Sequence, residues 1–231
     1  MWQAFADAFS LLGGLDREVV AIAGLSLRVS LAAVAAACVV GLPLGALIAI
    51  AGFPGRQAVI VGLNAFMGLP AVVVGLLAYL LLSRSGPLGE LGLAFTPGAM
   101  MIAQTVLVTP LVAALTRQIV EDADRELGEQ LRSLRVSPLR RAALLLFDAR
   151  FTLLIAVLAA FGRAISEVGA VLVVGGNIAG YTRTLTTAIS LETQKGDLPL
   201  ALALGMVLMG IILAVNAIAS GLRSVAVRAY G

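Results

Sequence analysis

Four stretches of this chain run without a single charge: 27 residues between Arg28 and Arg56, 27 between Arg56 and Arg84, 26 between Glu90 and Arg117, and 25 between Asp197 and Arg223. A helix of about 20 apolar residues crosses the hydrocarbon core of a bilayer, so each window is long enough to span one. A fifth apolar stretch, residues 151–174, has the length as well but carries Arg163 and Glu167. Membrane β-strands read as alternation over about ten residues between turns, and these continuous runs do not alternate. The expectation is an all-α integral membrane protein with about five core transmembrane helices, in a single domain over residues 1–231. Composition agrees. Only 13% of residues are charged, against roughly 25% in soluble domains, so lipid rather than water is the expected solvent.

The same inventory removes several function classes. Histidine is absent and Cys38 is the sole cysteine, set in an apolar run. A disulfide framework, a His/Cys metal site and a nucleophile–base pair therefore have no residues to build them. No G-x-x-x-x-G-K-[ST] occurs, so this chain has no phosphate-cradling loop with which to hydrolyse ATP. The net charge of +3 is small and gives no reason to expect nucleic acid as a partner. At the N-terminus, "MWQAFADAFSLLGGLDREVV" lacks the basic start of a signal peptide. Trp2, Phe5, Phe9 and Leu12 recur at helical spacing, so residues 1–21 read as an interfacial segment.

Five spans put the termini on opposite sides. The links around Arg56 and residues 117–150 then share a side with the C-terminal tail, and that side holds ten arginines. The other side holds Arg17, Arg28, Arg84, Arg183 and Lys195. The positive-inside rule makes the ten-arginine side cytoplasmic and leaves the N-terminus outside. Within the spans, "GLPLGALIAIAG" (41–52) sets Gly41 and Gly45 on one face, a small-residue pattern that lets helix backbones approach. Pro43, Pro70 and Pro110 are positions where a helix is expected to kink or restart.

Twelve charged residues crowd into 121–150. Leu127, Leu131 and Leu134 recur at i, i+4 and i+7 there, while Arg125, Arg132 and Arg135 take other faces, which predicts a short amphipathic helix. Ser137 is expected to cap, and Pro138 to begin, a new helix running on into the fourth span. Spacing alone also allows a solvated loop whose arginines only set topology.

The order of residues in "EQLRSLRVSPLRRAALLLFD" resembles the EAA loop of ABC-importer permeases. That pattern is Glu-Ala-Ala, three residues, Gly, then about nine residues to an apolar residue and Leu-Pro. Glu129 matches its Glu, Gln130 and Leu131 its alanines, and Arg132, Ser133 and Leu134 the residues before its Gly. Arg135 stands where the family has Gly, and Phe147-Asp148 where it has Leu-Pro; Ser137-Pro138 then offers an alternative break. "GLPAVVVGLLAYLLLSRSGPLG", "AQTVLVTPLVAAL" and "GRAISEVGAVLVVGGNIAGYTRTLTTAISLETQKGDLPLALAL" resemble successive blocks of molybdate/tungstate-type permeases, closest to the tungstate branch.

The resemblance implies a type I importer permease fold with a cytoplasmic coupling helix in 117–150. It implies a transport subunit rather than an enzyme, which pairs with a second copy of itself and contacts two ATP-binding-cassette subunits through Glu129–Arg135. It also implies an extracytoplasmic solute-binding protein, with ATP and Mg held by the partner ATPase and no cofactor or metal in this chain. The expected solute is tungstate or molybdate. Other solutes (sulfate, phosphate, methionine), a secondary transporter and a non-transporting membrane scaffold are the alternatives.

Arg163 and Glu167 are four apart and share a helix face. Three roles fit them: an ion pair locking the helix or the dimer interface, an arginine that attracts an oxyanion along the path, or a proton-coupling glutamate. Residues 175–197 form the expected outer loop, with Asn177, Thr182, Arg183 and Thr184 as candidate path or partner contacts. The bland reading of those threonines is that they satisfy backbone groups.

Overall fold

The computed structural model describes residues 17–230, with side chains described through residue 222. Trp2, Phe5, Phe9 and Leu12 of the expected interfacial segment lie outside the described residues. Every regular element among the described residues is helical. In chain order these are α1 (Arg17–Ile50), α2 (Arg56–Met67), α3 (Ala71–Leu82), a single 3₁₀ turn (Gly89–Leu91), α4 (Pro97–Ser133), α5 (Pro138–Asp148), α6 (Arg150–Ile165), α7 (Gly169–Gly175), α8 (Leu185–Lys195) and α9 (Leu198–Tyr230). Three of them, α1, α4 and α9, are each long and apolar enough to cross a membrane, and the count reaches five if each of two bent pairs is one span.

One expectation holds and three are corrected. The restart expected at Pro70 is present, so the uncharged window 57–83 is not one straight helix: α2 and α3 meet at 95°. Gly68 closes α2, and Pro70, extended at ψ 121°, precedes α3; proline offers no N–H and holds its predecessor out of the helical region. The helix begun at Pro138 does not run on into the fourth span, because α5 and α6 bend by 75° about Ala149, whose ψ of 8° has left the helical region. The stretch 151–174 is likewise broken, between α6 and α7. Finally, the amphipathic segment Leu127–Leu134 is no separate short helix but the C-terminal end of α4, continuous with the third span. Pro43 and Pro110 sit inside α1 and α4 without ending them.

The described residues cluster into two compact units, each assembled from separated segments. One comprises the described part of Met1–Ala33 with Pro70–Gln104 and Gly162–Val215. In it α3 packs against α7 at a distance only small residues allow: a Cβ on Gly75 would lie 2.7 Å from Ala170 Cα, and one on Gly169 would lie 2.6 Å from a Val72 methyl. Val19, Ile22, Leu185, Ala188 and Leu204 form a buried core joining α1, α8 and α9.

The other unit comprises Val34–Leu69, Thr105–Phe161 and the described part of Asn216–Gly231. Here Gly41 and Gly45 of α1 lie against Val112, Ala113 and Thr116 of α4, so the small-residue face does meet a neighbouring backbone. Ala46, Val120, Ala142 and Leu145 form its buried core, flanked by Ile50, Leu127 and Leu131. Arg56 holds the far end of α1: it donates to the carbonyls of Ile48 (2.8 Å) and Ala49 (3.2 Å), orphans of the last turn. Its guanidinium also pairs with Glu121, which Arg117 engages at 2.6 Å from one turn earlier on α4.

Candidate functional site

The charged loop is built as a clasp. Asp124 on α4 and Arg141 on α5 join through a two-pronged pair, with Arg141 Nε donating to Asp124 Oδ1 at 2.6 Å and Nη2 reaching Oδ2. Both side chains are largely buried, and such planar, bidentate pairs fix geometry as well as charge. Arg132 stands 3.9 Å from the same carboxylate. The close spacing has a second requirement. A Cβ on Gly128 would lie 2.6 Å from an Asp124 carboxylate oxygen, so the carboxylate runs over the helix surface where a side chain is missing.

Between the two arms the chain reverses at Arg135. Its φ of 53° is left-handed, the conformation that favours glycine, and it occupies the position where the EAA pattern carries Gly. The Arg135 N–H bonds Arg132 O at 2.9 Å and the Val136 N–H bonds Leu131 O at 3.1 Å. Together these close the helix in a Schellman motif. The tight turn is thus present without the glycine. Ser137, expected to cap α5 through its side chain, makes no such bond, while Pro138 does open that helix.

The seven loop residues singled out from sequence all fall on this last turn and its reversal. Leu131 is partly buried against the unit's core; Glu129, Gln130, Arg132, Ser133, Leu134 and Arg135 are exposed. Leu134 is 73% exposed, and on α5 Leu139 and Phe147 reach 72% and 67%. An open groove beside them is lined by Leu134, Arg135, Val136, Arg140 and Leu144. Sequence reasoning missed the α5 share of this surface, although Leu139, Ala143 and Phe147 at i, i+4 and i+8 carried the signal. At the α5–α6 bend, the Arg150 guanidinium lies 4.5 Å from the Phe147 ring centre and 4.8 Å from that of Phe151, a cation–π bracket across the elbow.

The second candidate region lies in the other unit. Arg163 Nη1 donates to Glu167 Oε2 at 2.5 Å. Glu167 is buried, and its Oε1 takes the N–H of Ala170 at 3.4 Å, while its backbone carbonyl accepts the Thr186 hydroxyl at 2.8 Å. Gln104 on α4 donates to Ala164 O on α6 at 3.0 Å. The outer segment is equally tied down. Thr182 donates to Gly175 O (2.5 Å) and accepts from the Ile178 N–H (2.9 Å). Thr184 and Thr187 cap α8 reciprocally. The Leu185 N–H that opens α8 is taken at 2.8 Å by Ser26 of α1, whose own hydroxyl donates to Ile22 O. Asn177, left-handed at φ 51°, donates to Thr187 O at 3.4 Å. Arg183 lies 3.6 Å from Glu18 beside an open pocket that Arg28 and Tyr181 also line. The hydroxyls of Thr182 and Thr184 therefore serve the backbone of their own segment.

Residues 41–226 match the family of binding-protein-dependent transport system inner membrane components. The chain is 42% identical over 218 residues to a probable anion ABC transporter permease protein of Haloferax volcanii, covering 92% of this chain and 94% of that protein. It is 41% identical over 216 residues to the tungstate uptake system permease protein TupB of Peptoclostridium acidaminophilum, covering 94% and 95%. It is also 41% identical over 145 residues to TupB of Campylobacter jejuni, covering 63% and 61%. The chain belongs to this family of ABC-importer permeases, which are multi-pass inner-membrane transport components rather than enzymes.

Proposed function

With that membership as premise, we propose that the chain is the membrane-spanning subunit of an ATP-driven importer that carries tungstate, or the closely similar molybdate, to the cytoplasm. The likeness to tungstate uptake permeases across nearly the whole chain supports the solute. The observation that carries the mechanism is the exposed final turn of α4, held at its base by the Asp124–Arg141 clasp. A helix end that is rigidly braced yet presents Leu134 to solvent is suited to insertion into a groove on a partner.

In this reading two copies assemble about a two-fold axis, with the N-terminus outside and the C-terminus in the cytoplasm. Two ATPase subunits, holding ATP and Mg, dock on Glu129–Arg135 with Leu139 and Phe147 beside it. A solute-binding protein delivers the oxyanion at the side of residues 175–197. Closure of the ATPases pushes the braced turn, and α4 carries that push along one continuous helix into the third span.

The test is reconstitution with the ATPase and binding protein in liposomes, followed by tungstate and molybdate uptake. Wild type should import only with ATP. Leu134→Asp should leave the purified permease as stable as wild type, because the side chain is exposed, yet lose co-purification of the ATPase. ATPase retention by Leu134→Asp would remove the docking role. Uptake that persists without any ATPase would move the protein to the secondary transporters, and a preference for sulfate would change the solute.

A further inference from the structure

Arg163 is the one basic residue that sequence places inside an apolar stretch expected to span. It lies thirteen residues after Arg150 on α6, roughly 20 Å along the helix at 1.5 Å per residue. The hydrocarbon core is about 30 Å thick, so the residue sits well within it if α6 crosses. Charged side chains at such depth face the interior of a bundle or a water-filled cavity rather than lipid.

The two members of the ion pair differ in how they are held. Glu167 is 7% exposed and gripped on three sides: by Arg163, by the Ala170 N–H and, through its carbonyl, by Thr186. Arg163 leaves 49% of its side chain open. The exposed Ser166 lies beside it, donating to the Arg163 carbonyl at 3.1 Å. The fold fixes the carboxylate and presents the guanidinium.

That asymmetry suits brief contact with an anion. A guanidinium offers a planar fork of N–H groups that matches the spaced oxygens of an oxyanion. An unbalanced cation in the path would hold a dianion too long, since conduction needs sites weak enough to release. Here the resident carboxylate of Glu167 competes for the same guanidinium. We propose that Arg163 is a transient contact for the permeating tetrahedral oxyanion, and that Glu167 limits how long the anion stays. This rests on the reading of the chain as an oxyanion importer.

The experiment uses the full transporter in liposomes with its ATPase and tungstate-loaded binding protein. Tungstate is counted by elemental mass spectrometry and ATP hydrolysis is measured in parallel. Arg163→Gln should lower tungstate imported per ATP by about tenfold, the scale of one charge-assisted hydrogen bond, while ATP hydrolysis stimulated by the binding protein stays near wild type. Glu167→Gln should do the opposite at the site, leaving more tungstate on the transporter after rapid desalting and slowing turnover. The charge swap Arg163→Glu/Glu167→Arg should not restore import.

Wild-type import per ATP in Arg163→Gln overturns the proposal. So does recovery in the charge swap, which would make the pair a structural lock or a contact with the second copy. Should Arg163→Gln fail to assemble, Arg163→Lys decides: its point charge should import less per ATP than the fork, and an unchanged ratio with unchanged retention in Glu167→Gln overturns the idea. Failure of wild type to import any oxyanion with ATP strikes the parent reading instead.

Discussion

The charged loop and the α6–α8 segment both gather polar groups in an apolar chain, and they handle them in opposite ways. In the loop, charge is used in pairs to build a frame. Arg56, Arg117 and Glu121 tie α1 and α2 to α4, and Asp124 with Arg141 closes α4 on α5, while the tip beyond the frame stays open. In the α6–α8 segment the linking groups are mostly hydroxyls. Ser26, Thr182, Thr184, Thr186 and Thr187 are buried and bonded within the unit, beside the half-exposed Arg163 paired with buried Glu167. Charge pairs largely withdrawn from water can bridge two helices when each ion keeps its partner, whereas hydroxyls satisfy backbone groups at little desolvation cost. The first arrangement presents a surface; the second keeps a crowded interior closed.

The sharpest way to break this contrast is to remove one half of the clasp. Asp124→Ala leaves Arg141 largely buried without its partner, and destabilisation of about 3 kcal/mol is expected. It should appear as a lower Tm in detergent and as trypsin cleavage in the loop, at Arg132, Arg135 or Arg140, that wild type resists. An unchanged cleavage pattern would mean the loop holds its shape by apolar packing alone. Ser26→Ala tests the hydroxyl side. It strips the Leu185 N–H of its acceptor in a buried site, a loss of about 2 kcal/mol, with the loop's trypsin resistance unchanged. If Ser26→Ala opened the loop, the two regions would not be independent. The smallest effect has the opposite sign. Arg135→Gly relieves a left-handed non-glycine residue and should stabilise the permease by about 1 kcal/mol, read as a raised Tm; a lowered Tm would show that the arginine side chain contributes more than its backbone strain costs.

Much of this architecture could be read from residue order. The apolar windows marked the membrane helices, three long enough to cross and up to five if each bent pair is one span; Gly41 and Gly45 marked a close helix contact, and Arg163 and Glu167 fell one helical turn apart. Pro70 marked a restart, but the size of the bend was hidden for a physical reason. An apolar window of 27 residues has the same composition whether its helix is slightly kinked or folded through 95° at Gly68–Pro70, because lipid-facing composition reports solvent rather than direction. The clasp was hidden because Asp124 and Arg141 are 17 residues apart across a reversal, beyond any helical spacing. Arg135 was misread because a long cationic side chain is a poor sign of a left-handed backbone, and only the hydrogen bonds of the turn reveal it. Ser26 and Leu185 meet from 159 positions apart, a pairing no local pattern encodes.

The clasp also governs how a complex would form and come apart. Its charges are largely withdrawn from water, where dissolved salt screens weakly, while Arg132, Arg135 and Arg140 at the rim are open to screening at a Debye length of about 8 Å in physiological salt. Raising ionic strength should therefore loosen a partner held by the rim without altering the shape of the surface it left. On return to low salt, the partner meets a finished template. Re-association then needs only diffusion and orientation, with no ordering of the loop to slow the encounter or weaken the complex.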